Sequence, residues 1–152
     1  IGVRAAPSSS LGINIHHDPT SLKIATGGGE VVTFGAEDGS DALGAGKLMY
    51  LHSGGNWKYA DADAVSTATG LLGIALGDNI NAGILLRGYF HFATGSVHDV
   101  HVGGAPVYVS EEAADIDFVA PSATGDVVRI IGYGTPVANL IYFNPDNTWV
   151  EL

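Results

Sequence analysis

The feature that most constrains this chain is a pattern that occurs twice. The segment Lys47-Leu48-Met49-Tyr50-Leu51 recurs as Ala105-Pro106-Val107-Tyr108-Val109, and each copy follows a glycine. Each copy then leads through a polar turn and an aromatic strand to an apolar strand with its own glycine, Gly73 or Gly132. Self-similarity at a fixed period indicates one supersecondary unit used twice. The sequence therefore predicts an internal duplication over residues 47–76 and 105–134.

Short runs in which Val and Ile alternate with polar residues predict strands along almost the whole chain. No segment has the apolar stripe of a helix of three or more turns, and residues 61–69 and 111–114 are expected to form one helical turn at most. The predicted class is all-β, as a compact barrel or sandwich. The predicted strands lie near residues 12–17, 22–26, 30–34, 47–52, 56–60, 71–76, 83–92, 106–110, 116–119, 127–133, 139–143 and 148–151.

The chain is expected to have two parts. Residues 1–45 are interpreted as an N-terminal arm or hairpin that packs on a neighbouring subunit, and residues 46–152 as the duplicated β-domain. Gly27-Gly28-Gly29 predicts the turn of the hairpin, because glycine accepts positive φ freely. The first residue is Ile1 rather than Met, and no signal-peptide core follows it, so we expect a processed chain or a fragment.

Composition excludes several classes of partner. Charged residues make up 14% of the chain, against roughly 25% in a typical soluble protein, which favours a surface that is covered by partners. Sixteen acidic and six basic residues give a net charge of −10. That balance argues against nucleic acid and anionic membranes, which need clustered Lys and Arg. The chain has no cysteine, which excludes disulfides and thiolate metal sites. No apolar run approaches the roughly 20 residues of a membrane span, so membrane insertion is not expected.

Several glycine-punctuated segments are similar to the β-domains of tailed-bacteriophage virion proteins, which include head-decoration (cement) proteins and terminal domains of head or tail fibres. The similarity covers about residues 44–152. The segments that carry it are 46–51 (GKLMYL), 60–64 (ADADA), 69–75 (TGLLGIA), 128–133 (VRIIGY) and 141–151 (IYFNPDNTWVE).

This resemblance implies a symmetric, commonly trimeric, non-enzymatic component of a virus particle. The expected partners are copies of the chain itself and a major capsid protein, or fibre and tail proteins. The expected location is the virion surface. The resemblance implies no catalytic residue and no cofactor.

Histidines offer the most direct candidates for metal ligands. His98 and His101 flank Asp99 and Val100, but side chains three residues apart in a strand point to opposite faces, so one ion needs a turn there. The adjacent residues His16, His17 and Asp18 diverge in the same way. At both positions, the favoured interpretation is that the histidines lie in loops and are exposed to solvent without binding a metal.

His91 lies between Phe90 and Phe92, so it faces away from both. Two interpretations stay open for it. In the first, His91 lies on the symmetry axis of a trimer, where three copies bind an ion. In the second, which is the commoner case, it lies in the interior or a groove and its ring nitrogens are hydrogen-bonded within the protein.

Paired acids could indicate glycoside hydrolysis, which needs two carboxylates across a sugar cleft. The pairs in this chain lie in or beside turns, where Asp usually bonds its own backbone. Calcium binding through Asp78-Asn79 or Asp146-Asn147 is a weaker possibility, because neither has a regular alternation of oxygen ligands. The acid pairs are Asp61/Asp63, Asp115/Asp117 and Glu111/Glu112.

Aromatic residues are the stronger functional candidates, since Tyr and Trp combine a large contact area with a polar group. Tyr50 and Tyr108 occupy equivalent places in the two repeats and are interpreted as core or rim residues. The predicted interface residues are Trp57, Tyr59, His91 and Trp149.

The function expected from the sequence is therefore structural. The main hypothesis is a trimeric capsid decoration protein that stabilises the shell through interface burial. The alternative is a fibre or fibre-tip domain that binds a host-surface glycan or protein receptor. A small all-β hydrolase is the remote alternative.

Overall fold

The strands of this protein begin and end where turn residues interrupt the alternating pattern. The computed structural model describes residues 22–94, 97 and 99–152. Within them, the all-β prediction is confirmed, and each strand predicted beyond residue 46 coincides with at least one observed strand. The strands are β1 Thr26–Val32, β2 Ala36–Glu37, β3 Leu48–Leu51, β4 Asn56–Tyr59, β5 Leu72–Ala75, β6 Ile84–His91, β7 Pro106–Val109, β8 Ile116–Asp117, β9 Val127–Val128, β10 Ile130–Gly134, β11 Leu140–Phe143 and β12 Val150–Glu151.

Helical structure in residues 22–94 and 99–152 is confined to single turns. Helix α1 spans Val65–Ala68, inside the segment predicted to form one turn, and a 3-10 helix spans Ile80–Ala82. No helix in the described part of the chain is long and apolar enough to cross a membrane.

Ten of the described strands form one mixed sheet, and β9 and β12 form a separate antiparallel pair. The order in the large sheet is β2-β4-β3-β5-β6-β11-β10-β7-β8, with β1 also paired to β6. The β2–β4 pair is parallel, and the other pairs are antiparallel. The result is a compact, sandwich-like body.

Strand β6 is the point at which this sheet forks. Both ends of β6, Ile84–Leu85 and Arg87–His91, pair with β1 along one edge, and Leu86 is skipped at a register shift. Its first two residues also pair with β5, and residues 88–91 also pair with β11. Because a strand has only two edges, β5 and β11 share the edge opposite β1. β5 and β11 diverge from each other at Leu86 and Arg87, which pair with neither β5 nor β11.

The two segments predicted to be repeats occupy corresponding places in the sheet. Strand β3 lies between β4 and β5, and β7 lies between β8 and β10. The turns before β3 and β7 contain equivalent hydrogen bonds. The Gly46 N–H donates to the Ala75 oxygen at 2.9 Å, and the Gly104 N–H donates to the Gly134 oxygen at 2.8 Å. This correspondence is what a repeated unit would produce, and the duplication itself stays a prediction.

The predicted turn at Gly27-Gly28-Gly29 is wrong, because all three glycines lie inside β1. Gly29 is paired with Gly88 of β6. A Cβ atom on Gly29 would come within 2.2 Å of the Arg87 carbonyl oxygen. Glycine is required here for the close approach of two backbones rather than for a turn.

The described part of the N-terminal segment belongs to the body of the fold. Strand β1 pairs along β6 on both sides of a register shift, β2 pairs with β4, and Leu43 is buried. Leu43 joins Met49 and Trp57 in a core cluster separate from the larger core, which contains Leu48. Because adjacent strand residues face opposite sides, residues 32–43 help to cover a second face of the sheet. Residues 26–43 therefore pack against their own chain, and the expectation that residues 1–45 also pack on a neighbouring subunit stays a prediction. Residues 1–21 lie outside the described residues.

Candidate functional site

A cleft lies at the fork, between the strands that diverge from β6. Its volume is about 230 Å³, and we call it the fork cleft. Leu86 and Arg87 come from the fork itself. The other lining residues come from the start of β5 and the residues before it, the chain after β11, strand β1 and the β9–β10 junction. These other residues are Glu30, Gly70, Leu71, Leu72, Arg129, Asn144, Pro145 and Asn147.

Arg129 is the chemically distinctive residue of the fork cleft. It lies between β9 and β10 and is only 5% exposed. Its Nη1 donates to the carbonyl oxygens of Ala68 at 3.1 Å and Gly70 at 3.0 Å, and its Nε donates to the Asp146 carbonyl oxygen at 2.8 Å. The guanidinium therefore ties the turn before β5 to the loop after β11.

The charge of Arg129 is poorly compensated. Burial lowers the pKa of its guanidinium, and the carboxylate of Asp146 opposes that shift only in part. The Asp146 carboxylate itself accepts hydrogen bonds from the backbone N–H and the hydroxyl of Thr148, both at 2.8 Å. Those two bonds, more than Arg129, lower the pKa of Asp146. Burying a charge without a close counter-charge is costly, so this arrangement calls for an explanation.

Sequence reasoning missed Arg129, although a signal was available. Residues 127–133 read as one buried apolar strand, and Arg129 is the single charged residue within it. A positively charged side chain at such a position is buried, forms an ion pair with an acidic residue or marks a break in the strand. The structure shows both burial and a break, because β9 ends at Val128 and β10 begins at Ile130.

Trp57 is a core residue rather than an interface residue. Its side chain is fully buried by its own chain, and its Nε1–H donates to the Phe34 carbonyl oxygen at 2.8 Å. The ring of Phe34 stacks on it with centroids 6.1 Å apart. The prediction that Trp57 serves an interface is corrected by this enclosure, since residues 34–43 cover the side chain that β4 presents.

The other three predicted interface residues have different surroundings. Tyr59 is half-buried, and its hydroxyl donates to the Ala42 oxygen at 2.9 Å. His91 is also half-buried, and its Nδ1 lies 2.9 Å from the Leu22 carbonyl oxygen, which gives the ring a partner within its own chain. Trp149 is 42% exposed. Tyr59 packs against the core cluster that contains Trp57, so the four residues do not form one exposed site. An interface role for Tyr59, His91 and Trp149 stays a prediction.

The histidine motifs fall partly outside the described residues. His16, His17 and His98 are not among them. The Nε2 atom of His101 lies 2.8 Å from the Thr135 carbonyl oxygen, and its ring packs edge-on against Phe118. His101 is therefore tied to the loop that follows β10.

Several acidic side chains form local turns, as predicted for Asp in such positions. Asp61 accepts a hydrogen bond from the Asp63 backbone N–H, and Asp117 accepts one from the Val119 N–H, both at 3.0 Å. That prediction is confirmed for these two residues. Among the described residues, no three acidic or histidine side chains converge as a metal ligand set.

The cluster of Asp61, Asp63 and Asp126 gives a prediction for pH dependence. The Asp61 carboxylate raises the pKa of Asp63, and burial and Asp126 add to the shift. A carboxyl with a raised pKa binds its proton more tightly in the folded state, so its ionised form destabilises the fold at neutral pH. This destabilisation is removed as the pH falls through the raised pKa and the ordinary value of 3.8.

We therefore expect the Asp63→Asn variant to unfold at a higher urea concentration than the parent protein at pH 7. Near pH 3, the two proteins should unfold at the same urea concentration. The gain is about 0.5 kcal/mol or less, because Asp63 is exposed and water screens its interactions. Asp78→Asn, which removes the same charge from another exposed turn, is the matched control. An equal gain in both variants would mean that net charge, rather than this cluster, is responsible.

Comparison with protein-family models, with curated proteins and with solved structures finds no match to this chain.

Proposed function

We propose that this chain is a non-enzymatic structural component of a phage particle, most specifically a trimeric decoration protein that stabilises the capsid shell. The observation that carries the proposal is apolar surface on a weakly charged body. Eleven large hydrophobic side chains are exposed among the described residues: Ile24, Val31, Phe34, Leu71, Val100, Val102, Val119, Tyr133, Trp149, Val150 and Leu152.

Three of these side chains lie together at the C-terminal end of the chain. Trp149, Val150 and Leu152 are 42%, 61% and 48% exposed, and we call them the C-terminal edge. Strand β12 pairs only with β9 among the described strands. A short edge strand with exposed apolar side chains favours association with another chain.

The proposed mechanism is burial of area rather than chemistry. Each square ångström of apolar surface removed from water contributes about 25 cal/mol, and a permanent interface buries on the order of 2,000 Å² or more. Copies held in a trimer and on a shell would stabilise both by mass action. The net charge of −10 keeps the free chain soluble without placing many charges in the contact.

The assembly is tested by measuring the molar mass of the purified chain by light scattering over a range of concentrations. We expect a trimer, and we expect Val150→Asp to dissociate it because a buried charge opposes contact. Val119→Asp adds the same charge at another exposed valine and is the matched control for the edge. Co-sedimentation with shells assembled from a phage major capsid protein tests the proposed contact with the capsid.

A chain that stays monomeric at high concentration and neither binds nor stabilises shells would overturn the proposal. A trimer that survives Val150→Asp but not Val119→Asp would keep the assembly and move the interface away from the C-terminal edge.

A further inference from the structure

We propose that the fork cleft is a binding site for the carboxylate of a small ligand, with the size of a single sugar acid or less. This inference goes beyond the proposed structural function, because it concerns a small anion rather than assembly. The proposed site does not depend on the oligomeric state of the protein.

The first support is the distribution of positive charge. The chain has six basic residues and a net charge of −10, yet both arginines of the described residues line this one cleft. Among the described residues, the ion pair that forms is between Lys58 and Asp38, at 3.1 Å. Neither Arg87 nor Arg129 has a described carboxylate within ion-pair distance.

The second support is the state of the Arg129 side chain. A guanidinium carries five N–H donors in a rigid fork, and the hydrogen bonds of Arg129 to described residues leave from Nε and Nη1. The second terminal nitrogen, Nη2, makes no hydrogen bond to a described residue. Three carbonyl contacts hold the side chain in place, so a carboxylate would meet a donor that is already oriented.

The remaining lining suits a small ligand with polar and apolar parts. Asn144 and Asn147 can donate from their amide groups, while Leu71, Leu86 and Pro145 supply apolar walls. Pockets for drug-sized ligands usually have about 300–1,000 Å³, so a cleft of about 230 Å³ fits a smaller molecule.

The acidic neighbours favour a carboxylate over a phosphate. Glu30 lines the cleft, and Asp146 lies close enough to affect the pKa of Arg129. Both offset part of the attraction of Arg87 and Arg129 for an anion, while the cost of taking an anion out of water rises with the square of its charge and is therefore higher for a phosphate dianion than for a carboxylate. A singly charged carboxylate therefore suits a cleft in which Glu30 and Asp146 offset the charges of Arg87 and Arg129.

The test is titration of the full chain with glucuronate, followed by two-dimensional NMR of the backbone amides and of the Arg129 Nε–H. We expect saturable shifts at Arg129, Gly70 and Asn147 with a millimolar Kd, and no such shifts from glucose, which has similar size but no charge. Phosphate is expected to bind more weakly than glucuronate.

Two variants distinguish binding in the fork cleft from non-specific attraction of an anion to positive charge. Arg87→Gln changes an exposed residue, so the fold is retained, and we expect about tenfold weaker binding of glucuronate from the loss of one charge-assisted hydrogen bond. Lys23→Gln removes the same charge from another exposed residue and is expected to bind like the parent. Absence of saturable shifts with glucuronate, equal shifts with glucose, tighter binding of phosphate or equal weakening by Lys23→Gln would each overturn the proposal.

Discussion

Replacing Trp57 with alanine is expected to lower the free energy of unfolding by about 3–5 kcal/mol, the usual range for a large aromatic residue in a core. The side chain is fully buried, it joins Leu43, Met49, Ala75 and Ile84 in one cluster, and its Nε1–H has a partner. Urea denaturation followed by circular dichroism measures the loss. For a domain of this size, each 1 kcal/mol shifts Tm by about 2–4 °C, so a fall of about 6–20 °C is expected.

Two further variants separate packing from the hydrogen bond. Trp57→Phe keeps most of the apolar volume and loses the N–H, so it should cost clearly less than Trp57→Ala. Trp149→Ala truncates the other tryptophan, which is partly exposed, and should change the stability of the isolated chain by about 0.5 kcal/mol or less.

Fluorescence provides a measurement that does not depend on unfolding. In Trp149→Phe, the remaining emission comes from Trp57 and should be blue-shifted, as expected for a dry environment. Red-shifted emission from this variant, or equal destabilisation by Trp57→Ala and Trp149→Ala, would contradict the burial of Trp57.

The strand positions were predictable because they depend on local pattern. Alternation of apolar and polar residues between turn residues fixes where a strand lies, whatever it pairs with. This explains why the segments 47–52 and 56–60 correspond to β3 and β4. The aromatic pattern around Trp57 located a strand correctly and still gave the wrong environment, since a period of two cannot say which face will be covered.

The pairing of distant strands was not predictable from the same pattern. A run of three glycines is compatible with a turn and with a close backbone approach, and only β6, nearly 60 residues later, decides between them. The fork has the same origin, because it arises from β1 occupying one edge of β6 and leaving the other to two strands. Arg129 could be noticed in the sequence as a cation inside an apolar strand, but its cleft is created only by that fork.

The second large effect is expected at the contact between β1 and β6. Gly88 has φ of 143° and pairs with Gly29, which has φ of 149°. A Cβ atom at position 88 would lie 2.2 Å from the Gly28 carbonyl oxygen and 2.8 Å from the Gly29 Cα. Gly88→Ala therefore combines a backbone clash, which costs about 1–3 kcal/mol or more, with a strained backbone conformation, which costs about 1–3 kcal/mol. We expect a total loss of at least about 2 kcal/mol in urea denaturation.

Two control glycines separate these contributions. A Cβ on Gly39 meets nothing within 4 Å, so Gly39→Ala should be neutral or stabilise slightly. Gly55 also has open space but has φ of 86°, so Gly55→Ala should show the conformational cost alone, about 1–2 kcal/mol. If Gly88→Ala cost no more than Gly55→Ala, β1 would not lie this close to β6. The edge opposite β5 and β11 would then be open, and the fork that positions Arg129 would lose its structural basis.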